Sequence, residues 1–286
     1  MPDMLNSRTF RRQFINRFVL IISTLAALLG IVMLVWILGD VVLRGFGVIN
    51  WNFFTELPVP PGEEGGGLAN AIIGTLVMTI VAALMAVPVG VMAGTYLSEF
   101  GKHNLFGRLV RSLSDILVSA PSIVVGVFVY LIMVKTMGHF SGWAGSVSLA
   151  ILMLPVVIRT TEEMLRLVPG EMRESALALG APYWNMMMNI VFRAAKNGMA
   201  TGIMLAVARV AGETAPLLFT AMNSPYWMQS MNEPMANLTV TLFNYAMSPY
   251  NDWQELAWGA AFLITVSVLC VNIITRLILS SGRSKP

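Results

Sequence analysis

Six apolar runs of about 20 residues, long enough to cross a bilayer as helices, divide this chain: Phe18–Gly39, Ala71–Leu97, Ile116–Val134, Trp143–Ile158, Gly198–Thr220 and Leu256–Leu279. Inside hydrocarbon each backbone N–H and C=O must find its partner within the structure. The expectation is an all-α, polytopic helical membrane protein with six transmembrane helices. Composition agrees: 56% of the 286 residues are hydrophobic and only 12% are charged, against about 25% charged in soluble domains. The domain division that follows is a tail of residues 1–17, a spanning domain of residues 18–279 containing a long loop at 159–197, and a tail of residues 280–286.

Lysine and arginine sort by loop. Four precede the first run (Arg8, Arg11, Arg12, Arg17), three lie in the second loop (Lys102, Arg108, Arg111), five in the fourth (Arg159, Arg166, Arg173, Arg193, Lys196) and three at the C-terminus (Arg276, Arg283, Lys285). The opposite face has Arg44 and Lys135 alone, so the positive-inside rule puts both termini in the cytoplasm. Cations spread this way form no basic patch of the kind nucleic acid requires. The first run has a basic flank like a signal peptide, but its length and the lack of a small-residue cleavage site mark a retained anchor. Val41–Ala69, with Pro58, Pro60, Pro61 and GEEGGG, reads as an irregular outer connection. Ala221–Glu255 reads as a long outer loop, surface-lying or forming a vestibule lip, with Glu233, Asp252 and Glu255 solvating it or docking an external partner.

Several chemistries lose their support. Cys270 stands alone within a span, and His103 and His139 sit in separate loops, so no disulfide framework and no metal site are expected. Twenty-one methionines and seven tryptophans fit helix packing and the headgroup belt. No phosphate-binding P-loop is present, so the chain is expected to hydrolyse no ATP and to hold no cofactor. No catalytic cluster stands within the spans.

One pair of charges contradicts the apolar pattern. In LAVARVAGETAPLLFT, Arg209 and Glu213 lie one helical turn apart, and each costs about 3 kcal/mol to insert alone. Four-residue spacing lets them pair on one helix face. Pro216 removes an N–H nearby, and Pro121 does the same in the third run, so both are expected kinks. Arg209 offers a planar fork suited to an oxyanion. Glu213 would hold it, Thr214 would add a hydroxyl, and Ser119 and Ser122 flank the second break. Two readings stay open: a polar path through the membrane, or a structural ion pair that fixes span packing or the contact to a partner subunit.

The loop 159–197 has helical composition. Thr160 and Glu163 match a capping box, Pro169 suits a helix start, and Gly180 suits a left-handed C-cap before Pro182. Met172, Ala176 and Leu179, then Trp184, Met188 and Val191, mark two apolar stripes, so two short helices joined at Gly180-Ala181-Pro182 are expected.

Glu174-Ser175-Ala176, then Gly180, then Ile190, resembles the EAA-x3-G-x9-I pattern of permease subunits in binding-protein-dependent ABC importers. Ser175 replaces the middle alanine, and Phe192-Arg193 stand where Leu-Pro is usual. The stretches GGGLANAI, SAPSIVVGVFVY, HFSGWAG, VIRTTEEMLRLVP, ARVAGETAPLLFTA and ANLTVTLFNYAMSP are similar to the A-type permeases of phosphate-specific (Pst) importers. The resemblance implies a MetI-like permease fold in a bacterial inner membrane. It further implies a homologous C-type permease, two ATPase subunits that bind ATP and Mg, an external phosphate-binding protein, and coupling through the EAA-like loop. The alternatives are a permease for a related oxyanion and an ion-coupled secondary transporter, in which the charge pair would relay ions.

Overall fold

A computed structural model describes residues 3–63, 65–102 and 104–280. His103, Arg283 and Lys285 lie outside the described residues. In chain order the helices are α1 (Asp3–Phe46), α2 (Trp51–Thr55), α3 (Ala69–Glu99), α4 (Leu105–Ser119), α5 (Ser122–Val129), α6 (Lys135–Met137) and α7 (Gly142–Arg166). There follow α8 (Gly170–Ala178), α9 (Tyr183–Met186), α10 (Phe192–Ala211), α11 (Ala215–Leu218), α12 (Leu238–Ala246) and α13 (Asn251–Ser280). Wider π turns at Tyr130–Val134 and Met187–Val191 join α5 to α6 and α9 to α10.

Five helices are long and apolar enough to span: Arg11–Phe46, Ala69–Glu99, Gly142–Arg166, Tyr183–Ala211 and Asn251–Thr275. The pair Leu105–Ser119 and Ser122–Met137 completes six if it is one crossing, and its halves meet at 104°. The expected third span, Ile116–Val134, is therefore not one straight helix. Pro121 supplies no N–H, and the chain leaves helical conformation at Ala120 (ψ 135°) and Pro121 (ψ 132°).

Four other boundaries differ for local reasons. The fourth span continues past Ile158 to Arg166, so Thr160 is no cap; its hydroxyl donates back to the Val156 carbonyl at 2.8 Å inside the helix. The fifth span ends at Ala211, and Glu213 and Thr214 belong to the break after it. Its start reaches back through Phe192 and Arg193 without interruption, because the proline usual there is absent. Within the outer connection 41–69, α1 runs on to Phe46 and α2 forms under an Asn50 cap whose Oδ1 accepts from the Phe53 N–H at 2.8 Å.

The main seam joins α3 to α7. Met78, Ala82, Ala86, Gly90 and Gly94 recur every fourth residue and are all buried. Small side chains at that spacing let two membrane helices approach closely. A Cβ at Gly90 would lie 2.7 Å from Val157 Cγ1, and one at Gly94 2.6 Å from the Ile158 carbonyl oxygen. Leu149, Met153 and Val157 of α7, Ala206 and Val210 of α10, and Leu217 of α11 close this core. A second core gathers Phe53, Leu68, Leu238, Tyr245 and Ala260 around α12 and the start of α13. The segment 221–255 is thus no surface-lying loop throughout, since α12 buries Leu238, Thr239, Val240 and Thr241. Glu233, Asp252 and Glu255 are exposed. α1 packs mainly on α13, where Gly45 meets Phe262 and the Trp258 carbonyl.

Candidate translocation cleft and coupling hairpin

Gly212 ends α10, its N–H turning back to the Arg209 carbonyl at 3.2 Å while the Glu213 N–H reaches Val210 O at 3.1 Å. Thr239 Oγ1 donates to the Glu213 carbonyl at 2.8 Å and pins the turn. Pro216 then sits in the first turn of α11, where a missing N–H is no loss. Pro216 is therefore not a kink within a continuing helix; the break precedes it. Its Cα lies against Gly126 of α5, where a Cβ would approach to 2.6 Å, so α11 is pressed against the helix that follows the Pro121 break.

Between the two breaks opens a cavity of about 90 Å³ lined by Arg209, Glu213 and Ser122 together with Leu117, Val118, Ala120, Leu152, Val156 and Val210. Three of the five expected path residues thus share one cleft. Arg209 is exposed, and Glu213 and Ser122 are half-buried. The expected Arg209–Glu213 ion pair does not form among the described residues. With the helix ended at Ala211, four-residue spacing no longer stacks the two side chains. Among the described residues a guanidinium with no direct ion pair, sharing the cleft with Glu213, therefore lies beside Ser122 at the amino-terminal end of α5, where backbone N–H groups and the helix dipole favour anions. Ser119 and Thr214 do not line it: Ser119 is exposed and donates to the Asp115 carbonyl at 2.8 Å, and Thr214 is the residue before α11.

The loop 159–197 folds as expected at its centre. α8 follows Pro169 and closes at Gly180, whose φ of +80° is left-handed. The Gly180 N–H donates to Leu177 O at 2.9 Å and the Ala181 N–H to Ala176 O at 3.1 Å, the paired bonds of a Schellman cap. Pro182 then starts α9. Ala176 and Val191 are buried with Met186 and Met187, and Ile190 packs against them. The rest of both expected stripes faces outward: Met172, Trp184 and Met188 are exposed and Leu179 is 89% exposed. Glu174 and Ser175 are also exposed, so the hairpin presents an apolar and acidic outer face.

Residues 86–281 match the family described as "Binding-protein-dependent transport system inner membrane component". Over 283 residues the chain is 48% identical to the Phosphate transport system permease protein PstA of Yersinia pestis, covering 99% of this chain and 96% of that one. It is 48% identical over 272 residues to the protein of the same name in Haemophilus influenzae, with 95% and 96% covered. The chain belongs to this permease family. Its fold is that of an ABC importer permease: a chain of the MetNI methionine ABC transporter, inward-facing, superposes with a TM-score of 0.63 at 18% identity over 75% of this chain and 95% of that one. Members of the family are non-catalytic membrane subunits.

Two buried carboxylates of this permease escaped the sequence reading. Glu99, ending α3, accepts Arg173 Nη1 at 2.5 Å on each oxygen and Tyr183 Oη at 3.0 Å. Glu162 of α7 accepts Arg111 Nε at 2.8 Å and Arg166 Nη2 at 2.6 Å, while Arg111 Nη2 donates to Leu97 O at 3.0 Å. Glu162 thereby ties α4 to α7 and α3. Both stand where an apolar run meets a basic loop, and that is the signal in the sequence that singles them out. At the other end a cavity of about 610 Å³ is lined by Pro58, Pro60, Tyr226, Asn244, Tyr245 and Trp253 among others. Tyr245 stacks on Trp253 at 4.5 Å, and burial pushes its hydroxyl up to about 12.

Proposed function

We propose that this chain is the transmembrane permease subunit of an ATP-driven inorganic phosphate importer. Residues 18–279 form the translocation path together with a homologous C-type permease, and both termini are cytoplasmic. Two ATPase subunits bind ATP and Mg, and an external phosphate-binding protein delivers the anion. The observation that carries this reading is the cleft that joins Arg209 to the start of α5 at two breaks in the helices. A phosphate dianion cannot enter hydrocarbon with its water, so fixed donors and a cation must replace that water at a site open to one side at a time. Arg209 offers up to two parallel N–H donors to phosphate oxygens. Glu213, in the same cleft but unpaired, weakens the field and keeps the anion from being trapped. Ser122 lines the cleft, while Ser119 and Thr214 stand outside it and would meet the anion only before or after it passes Arg209. The lack of an Arg209–Glu213 bond supports a path over a structural ion pair, and the membership of a permease family argues against an ion-coupled secondary transporter.

The hairpin supplies coupling. Glu174, Ser175, Ala176, Gly180 and Ile190 form the unit that an ATPase moves, and rigid transmission needs the left-handed turn at Gly180. Gly180→Val forces a β-branched residue to φ +80°, at a cost of about 1–2 kcal/mol. ATP hydrolysis by the assembled complex will continue in this variant while phosphate uptake and its stimulation by the loaded binding protein fall. Unchanged stimulation and uptake would refute the lever.

The deciding experiment is radiolabelled phosphate uptake into vesicles that contain the whole reconstituted complex. Uptake will require internal-face ATP and the binding protein, and arsenate will compete where molybdate does not. Transport of molybdate in place of phosphate would assign the complex to another oxyanion.

A further inference from the structure

The hairpin meets the spans in two ways of different stiffness. One is apolar: Ala176, Met186, Met187 and Val191 pack with Leu165, Val168 and Val91. Such contacts are non-directional and tolerate sliding. The other is the carboxylate of Glu99, whose side chain is only 6% exposed. Arg173 of α8 grips both of its oxygens with Nη1, Tyr183 of α9 donates to Oε2, and Ser98 Oγ donates to Oε1 at 3.1 Å. Arg173 Nη2 also donates to the Leu165 carbonyl in the last turn of α7 at 2.7 Å. Four helices therefore converge on one partly buried ion pair, and a planar guanidinium fixes angle as well as distance. The neighbouring residues divide the work: Glu174 points outward while Arg173 points to the spans. Phe100 sets its ring 6.0 Å from that of Tyr183 beside the same point.

We infer that the Glu99–Arg173 clamp is the joint through which displacement of the hairpin reaches α3 and α7, with Glu99 a positioning residue for transport. This rests on the proposed ATP-driven permease. Without the clamp the apolar contact slips, and the hairpin moves while the spans lag.

The test uses the complete reconstituted complex in a Cys270→Ser background, with Glu171→Cys and Met92→Cys carrying spin labels on the hairpin and on α3. In the parent the label distance stays constant on ATP binding, because hairpin and α3 move as one body. In Glu99→Gln the complex copurifies in normal yield and hydrolyses ATP, the phosphate moved per ATP falls at least about tenfold, the factor of a 1.4 kcal/mol change, and the label distance now shifts with ATP. Tyr183→Phe, which removes one bond to the same carboxylate, produces the same two changes in smaller measure. The exchange Glu99→Arg with Arg173→Glu recovers part of the coupling. A Glu99→Gln complex with the parental ratio and a constant distance overturns the proposal. So does loss of assembly that the charge exchange repairs without repairing coupling, since the pair would then only hold the fold. A parent that moves no phosphate defeats the cargo assignment alone, because the distance measurement needs only ATP and the partner ATPase.

Discussion

Arg209→Gln will cut phosphate uptake by between about 10- and 150-fold, the range set by losing about 1.5–3 kcal/mol of charge-assisted hydrogen bonding, while the complex still assembles. The argument is geometric. Among the described residues the Arg209 guanidinium makes no ion pair, and it lies exposed in the cleft with Glu213 and Ser122. Glutamine keeps a polar side chain of similar reach, so no internal contact of the fold is broken. A role in packing within this chain would have required a partner, and among the described residues no ion pair or side-chain hydrogen bond holds it. Arg209→Lys keeps the charge without the planar fork and will retain intermediate uptake. Copurification of the partner subunits and uptake into vesicles are the paired measurements. Uptake at the parental rate removes Arg209 from the path, and loss of assembly with uptake restored per assembled complex would make it a packing residue.

Gly94→Leu will remove most folded permease from the membrane. A Cβ there would lie 2.6 Å from the Ile158 carbonyl oxygen and 2.7 Å from Thr161 Cβ. The first of these is backbone and cannot rotate away, so overpacking must push α3 off α7. Inserted methylenes in a tight core cost about 1–3 kcal/mol, and this site stands toward the end of a seam that also needs Gly90, Ala86 and Ala82. The Thr161 hydroxyl is already buried without a partner, so no nearby polar group offers relief. Gly30→Leu on α1, where nothing stands within 4 Å, is the control and will fold normally. Monodisperse yield after detergent extraction reads both; equal yields would show that the seam is looser than described.

What the sequence made legible was whatever rests on local rules. The apolar runs gave the crossings, and the left-handed preference of glycine gave the turn at Gly180, because φ is a property of one residue. Pro121 marked a break, yet not its 104° angle, which depends on how Gly126 meets Pro216 ninety residues later. The spacing of Arg209 and Glu213 presupposed an unbroken helix, and Gly212 cancelled that premise one residue short of the pair. Thr160 looked like a cap because the pattern around it was read without the span that flows through it. Glu99 with Arg173 and Glu162 with Arg111 are partnerships between distant segments, and no local spacing carries them.

The bend between α4 and α5 also has an electrical side. The turn itself satisfies the Ile116 carbonyl, which accepts from the Ala120 N–H, and the Val124 N–H, which donates to the Pro121 carbonyl. The other carbonyls ending α4 and N–H groups starting α5 lack partners in their own helices and are tolerated inside a membrane where they are covered by protein or line a wet cavity. Where water penetrates partway, voltage falls across the dry remainder instead of the full thickness. An anion carried toward a negative interior must then climb about 2.3 kcal/mol per charge for each 100 mV across that dry remainder. That uphill step is one a passive pore would run backwards, and it makes fuel a necessity.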